Sequence, residues 1–159
     1  KNGFSTSYYK EFNDDMIGAL KFAATAINGI NDEDVRLSKR LSLSTSRLRG
    51  FEPGKVGPKD GKDYIGGNYV TALNIEANFP NFFPEKTNAE IGLFLDAGNV
   101  WGVDYSDTLG ESNKIRSTFG LNTSWISPAG PMSFIFSQNI SKASTDVTQG
   151  FSFNLGTTF

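Results

Sequence analysis

The chain has 159 residues, one domain's length, and its 15 Lys plus Arg against 17 Asp plus Glu give a net charge of −2. That mixed, near-neutral balance excludes a partner held by bulk charge, so no nucleic acid is expected. With no Cys and no His there is no disulfide framework, no thiolate metal site and none of the commonest acid–base side chain, so neither a cofactor nor catalysis is expected. No apolar run approaches the roughly 20 residues of a membrane-crossing helix. The 14 Phe, 5 Tyr and 2 Trp are set in a polar background, which suits strands whose two faces meet very different surroundings. The chain opens on Lys1 rather than Met and reads as processed or truncated.

Period-2 alternation recurs along the chain, and the helical i, i+3, i+4 pattern is hard to find. A first strand is expected over Phe4 to Phe12, rich in Tyr and Thr with blurred alternation. The polar turn Asn13-Asp14-Asp15 follows, then an apolar stretch from Met16 to Ile30 read as a second strand. Val35, Leu37, Leu41 and Leu43 alternate with Arg36, Ser38, Arg40 and Ser42, either as a short eighth strand or as an extended part of a long loop. Tyr69, Leu73, Ile75, Ala77 and Phe79 then oppose Asn68, Asn74, Glu76 and Asn78. Ile91, Leu93, Leu95 and Ala97 oppose Glu90, Phe94, Asp96 and Gly98. Ile115, Phe119, Leu121 and Trp125 oppose Lys114, Arg116, Asn122 and Ser124. Met132, Phe134, Phe136 and Ile140 face away from Ser133, Ser137 and Asn139, with Ile135 as an exception. The last segment, Gly150 to Phe159, sets Phe151, Phe153, Leu155, Thr157 and Phe159 against Ser152, Asn154, Gly156 and Thr158.

The connections alternate in length: short at 13–15, long at 31–67, medium at 80–89, long at 102–113, short at 127–131 and medium at 141–149. Short turns alternating with longer loops mark an outer-membrane barrel, with the short turns on the inner side. Phe12, Phe79, Trp125 and Phe159 then fall at the short-turn ends, where an aromatic girdle belongs. A soluble β-sandwich is the alternative. Against it stand the band of Lys, Arg, Glu and Asp on the presumed lumen face and the side-by-side alternation of loop lengths. The expected fold is all-β, an antiparallel transmembrane β-barrel wall of about seven strands.

Leu48-Arg49-Gly50-Phe51 in a long loop, followed by Ile65-Gly66-Gly67-Asn68, resembles the sixth extracellular loop of the BamA family of outer-membrane assembly factors. Phe94-Leu95-Asp96-Ala97-Gly98-Asn99-Val100-Trp101, then Trp125-Ile126-Ser127-Pro128-Ala129-Gly130-Pro131, and finally Phe151 through Phe159 continue the resemblance in the family's order. Glu76-Ala77-Asn78-Phe79-Pro80 is similar to the family's twelfth strand and its turn. The resemblance implies a 16-stranded barrel preceded by periplasmic POTRA domains, of which residues 1–159 supply the C-terminal part, with the POTRA domains and first strands absent. It implies residence in the bacterial outer membrane among its lipids. The implied task is nucleotide-independent insertion of unfolded outer-membrane protein clients at a lateral seam involving the last strand, with assembly-complex lipoproteins reached through the POTRA domains.

The resemblance also implies roles for particular residues. Leu48, Arg49, Gly50 and Phe51 form a loop anchor that folds into the barrel, with Arg49 meeting Phe94, Asp96 and Gly98 on the inner wall. Alternation independently gives Phe94, Asp96 and Gly98 one face, where a carboxylate is cheaper facing a lumen than lipid. A guanidinium stacks on an aromatic ring and pairs with a carboxylate at once, as Lys does less well. Gly156 is the implied kink of the seam strand and Phe159 the terminal aromatic of a sorting signal. The alternative is a complete barrel of about eight strands serving as an anchor or adhesion protein, which requires residues 35–43 to be a full strand. An isolated seven-stranded wall has two bare edges, so self-pairing of the chain is a further expectation. Asp32-Glu33-Asp34 matches no cation-ligand spacing and reads as solvated loop. Arg36, Lys39, Arg40, Arg47 and Arg49 read as loop charge or as a lipopolysaccharide contact.

Overall fold

The computed structural model describes residues 1–31, 33–106, 109, 114–128 and 130–156. Strands β1 (Asn2–Asn13) and β2 (Met16–Ala26) form a hairpin, and two short strands, β3 (Lys59–Asp60) and β4 (Asp63–Tyr64), lie in the long loop after it. The wall continues with β5 (Tyr69–Phe79), β6 (Ala89–Trp101), β7 (Arg116–Ser127), β8 (Gly130–Ser141) and β9 (Phe151–Leu155). Seven of these strands make one sheet in the order β1-β2-β5-β6-β7-β8-β9, and β3 pairs only with β4. Every wall pairing is antiparallel. The meander follows from the period-2 pattern, because chain neighbours joined by turns are the cheapest antiparallel partners.

Pairing fixes the sides. Residue pairs Ile17–Asn78, Phe79–Ile91 and Met132–Leu155 bring the turn at 14–15, the turn at 80–88, the β7–β8 turn and the end of β9 to one end of the sheet. The loops at 27–68, 102–115 and 142–150 leave from the other end. The two faces have inverted polarity relative to a soluble sheet. Leu20, Leu73, Ile75, Leu93, Leu95, Phe119, Phe136, Phe151, Phe153 and Leu155 are exposed, while Asn74, Asp96, Arg116 and Thr118 on the opposite face are the most completely buried. Apolar outside and polar inside, alternating residue by residue, is the arrangement of a wall that faces lipid. A soluble sandwich would bury that apolar face, so the sandwich reading fails.

Several expected boundaries move. Residues 35–43 are not an eighth strand: they hold a 3₁₀ turn at Leu37–Lys39 and a single bridge, Leu41 to Gly67. Each of Val35, Leu41 and Leu43 is buried, so that alternation records a loop packing on the wall. Strand β2 ends at Ala26 rather than at Ile30, and the next amide, Ile27 N–H, is taken by the Asn68 carbonyl at 2.8 Å. Pairing with β2 sets Phe4 and Tyr8 on the outer face, across from Ala24 and Leu20, and Tyr9 on the inner one, while β1 as an edge strand is exposed on both. The β7–β8 turn is tighter than 127–131, since β7 runs to Ser127 and β8 starts at Gly130. At the loop end of the wall Tyr69 stacks on its cross-strand neighbour Trp101 with ring centroids 5.7 Å apart, an aromatic belt opposite Phe12 and Trp125. Ordered pairing in the last strand covers Phe151–Leu155, and Phe159 lies outside the described residues.

Candidate functional site: the loop docked on the inner wall

The inner face is not uniformly polar. Near the loop end Val70, Ala72 and Val100 form an apolar shelf, and Leu43, Leu48, Phe51 and Val56 of the long loop pack onto it. Gly98 lies under Leu43: a Cβ there would sit 3.1 Å from Leu43 Cδ1 and 3.0 Å from the Thr71 carbonyl oxygen. Full burial of Leu48 and Phe51 stabilises the docked loop by roughly 1.5–3 kcal/mol per side chain.

Leu48 and Phe51 bracket the polar centre of the site. The Arg49 guanidinium grips Asp96 through both oxygens, Nε to Oδ2 and Nη2 to Oδ1, each at 2.7 Å. The Arg49 backbone N–H adds a third bond to Asp96 Oδ2 at 3.0 Å, and Asn74 Nδ2 donates to Oδ1 at 2.7 Å. The same guanidinium lies over the Phe94 ring, 3.8 Å from its centroid, and reaches Glu76 Oε1 at 2.8 Å. Lys21 of β2 holds the other Glu76 oxygen at 2.6 Å. One loop residue therefore ties β5 and β6 together, and Lys21 extends the network to β2 through Glu76. Burial alone would lower the Arg49 pKa, but the hydrogen bond and charge of Asp96, with Glu76 beside it, raise it above the ordinary arginine value, so Arg49 is always charged at physiological pH. Gly50 turns the chain away at φ 85°, a conformation that L side chains adopt rarely. A Cβ there would also come within 2.7 Å of Thr118 Oγ1.

Two further arginines were not anticipated as anchors. Arg116, fully buried, pairs with buried Asp146 through Nε to Oδ2 at 2.8 Å and Nη2 to Oδ1 at 3.0 Å, and its Nη1 donates to Asn99 Oδ1. Asp146 Oδ2 also accepts the Ala143 N–H at 2.7 Å. Arg40 pairs with Asp104 and lies over Tyr105, 5.1 Å from the ring centroid. Asp104 Oδ2 accepts the Val35 N–H at 2.5 Å. Burial, which raises the Asp104 pKa, is outweighed by that amide and by Arg40, which leave it below 3.8. So Arg40 and Arg49 of the basic cluster point inward, while Arg36 and Lys39 stay exposed.

The structure therefore brings together Leu48, Arg49, Gly50, Phe51, Phe94, Asp96 and Gly98. Gly156 lies apart, just past β9, with φ 93° and its N–H on the Pro131 carbonyl at 2.8 Å. Sequence reasoning missed Glu76, although the pattern contained the signal: Glu76 shares the inner parity of Asn74 and sits directly across from Phe94. Arg116 was placed on the inner face, but nothing in the sequence linked it to Asp146. Of the acidic run, Glu33 and Asp34 are exposed, Asp32 lies outside the described residues, and no acidic cluster able to hold a metal occurs among the described residues.

A membrane-facing meander with a long loop locked into its interior defines a narrow class of barrel. All of residues 1–159 match the Omp85 superfamily domain. The chain belongs to that superfamily. It is 35% identical over 141 residues to the outer membrane protein assembly factor BamA of Neisseria meningitidis serogroup B, a match covering 70% of this chain and 17% of the relative. It is 29% identical over 143 residues to a SAM50-like protein of Schizosaccharomyces pombe, covering 84% of this chain and 30% of that protein. The crystal structure of BamA from Haemophilus ducreyi lacking POTRA domains 1–3 superposes with a TM-score of 0.84 at 27% identity, over 95% of this chain and 33% of that one. The chain thus spans under a third of the two sequence relatives and a third of the solved chain. It is a strand wall of a BamA-like Omp85 barrel, a protein of the outer membrane.

Proposed function

We propose that this wall works in a barrel that folds and inserts β-barrel proteins into the outer membrane, without nucleotide and without catalytic chemistry of its own. Its complement would be the remaining strands of a 16-stranded barrel, with POTRA domains before it that contact partner lipoproteins. Unfolded outer-membrane proteins would be its clients and outer-membrane lipids its solvent. β9 would form one side of a lateral seam, with Gly156 as its kink and Phe159 as the terminal aromatic of the sorting signal. Leu48-Arg49-Gly50-Phe51 would act as the anchor that holds the loop inside, against Phe94, Asp96 and Gly98.

The observation that supports this reading best is the docked loop. A passive anchor has no need for a loop fixed to two strands by one buried guanidinium, whereas a barrel that opens and recloses at a seam needs an interior brace. The anchor-protein alternative is further weakened because residues 35–43 supply no eighth strand. Alone, the wall would leave the outer edges of β1 and β9 without partners, so in isolation it would pair with a second copy or with the rest of its barrel. The test is client folding by the full-length protein in liposomes. Arg49→Ala should slow client folding while the protein itself stays inserted. Unchanged client folding with the loop demonstrably released would defeat the proposal.

A further inference from the structure

Strand β8 runs for 12 residues and β9 for only 5. Their register goes from Met132–Leu155 to Phe136–Phe151, and one more bond, Ser137 N–H to the Gly150 carbonyl at 2.8 Å, ends it. Beyond that point residues 146–149 leave β8 and follow the docked loop instead. Gln149 N–H donates to the Gly50 carbonyl at 3.0 Å, Glu52 N–H to the Val147 carbonyl at 2.9 Å, and Val147 N–H to the Lys55 carbonyl at 3.1 Å. Phe51 and Thr148 form an antiparallel bridge. The Gly50 carbonyl also accepts Asn139 Nδ2 of β8 at 3.1 Å, so Gly50 stands between β8 and the departing segment. The buried Arg116–Asp146 pair closes this arrangement from β7.

The departing segment nevertheless carries the pattern of a strand. Continuing the observed register would set Gln149 opposite Gln138, Thr148 opposite Asn139, Val147 opposite Ile140 and Asp146 opposite Ser141. Outer parity would then hold Gln138 with Gln149 and Ile140 with Val147, a polar pair and an apolar pair. Asp146, Thr148 and Gly150 would share the inner face with Ser152 and Asn154. Residues 142–145 would be left as a turn of ordinary length for a hairpin. Ile140 is exposed as the structure stands, and Val147 is the neighbour that would cover it.

We propose that the β8–β9 hairpin is half zipped, and that the docked loop holds it so. Residues 146–149 have two ladders available, one with 50–55 of the loop and one with 138–141 of β8. Arg116 and Asp146 are positioning residues that select the first. Loop docking and the length of the terminal strand are then a single two-state element: releasing the loop extends β9 upward along β8, and re-docking shortens it. The inference concerns the wall itself and does not depend on assembly activity.

Engineered cysteine pairs in this cysteine-free wall test it in the full-length protein in membranes. Gln138→Cys with Gln149→Cys reports the zipped state, and Ile135→Cys with Ser152→Cys, already paired, reports that the hairpin is intact. With the native loop the second pair should form a disulfide readily and the first slowly. Asp146→Asn, or Gly50→Ala if the first variant fails to fold, should raise the rate of the 138–149 disulfide several-fold and leave the 135–152 disulfide unchanged. Equal rates for both pairs with the native loop would overturn the proposal. So would a 138–149 rate that neither variant changes while the control pair still forms.

Discussion

Arg49→Ala removes one side chain from a carboxylate that pairs with no other cation among the described residues. Asp96 is 0% exposed and takes three bonds from Arg49 and one from Asn74. Were the pair on the surface, its loss would cost about 0–1 kcal/mol. Here deletion leaves a buried charge with a backbone amide and a neutral amide, so about 3–5 kcal/mol is expected. Asp96→Ala strands the guanidinium instead but leaves Glu76 at 2.8 Å, so its cost falls at the lower end of that range. Because each single change counts the same broken pair, the double variant should cost less than the sum, with a coupling of about 2 kcal/mol. Urea titration of the full-length barrel in micelles, followed by heat-modified gel mobility, measures all four corners of the cycle. Singles each costing under about 1 kcal/mol, or effects additive to within about 0.5 kcal/mol, would refute the claim that this pair is desolvated and holds the loop.

On the outer face, Leu93→Arg should cost about 2–4 kcal/mol in a bilayer, while Ser133→Arg on the inner face should cost under about 1 kcal/mol; folding yields in liposomes compare the two, and the reverse order would contradict the assignment of faces. Gly120→Ala would place a methyl 2.0 Å from the Phe136 carbonyl oxygen and 2.8 Å from Phe94 Cζ, so β7 must leave β8 and the barrel should fail to fold. Gly54→Ala meets nothing within 4 Å and bears only its φ of 71°, a cost of about 1–2 kcal/mol, measurable by the same titration. The Asp104 clasp should depend on pH. Its folded pKa lies below 3.8, so its contribution is complete above that value and fades as pH falls through the lowered one. Hydrogen exchange at the Val35 amide should rise in that acid range, and protection unchanged down to full protonation would count against the clasp.

Alternation along each strand by itself determines the wall. Side chains on a pleated chain point to opposite faces with a period of two, so Leu93 and Asp96 had to part company whatever their neighbours were. Loop lengths likewise settled which turns share an end, because successive antiparallel strands reverse direction. Arg49, Phe94 and Asp96 were legible through a family resemblance, with parity placing the last two on one face. The partners that lie far apart along the chain were decided only by tertiary structure. Glu76 joins Arg49 because β5 pairs with β6 in one register, and Arg116 meets Asp146 because a loop bends inward. Residues 35–43 show the limit most clearly. Their alternation fitted either a short strand or an extended loop, and only the packing of Val35, Leu41 and Leu43 onto the wall decides for the loop. Residues 146–149 are the converse, a strand pattern whose hydrogen bonds go to the loop. A pattern of two states which faces a segment can offer, and only the competition among partners in the folded barrel decides which of them it meets.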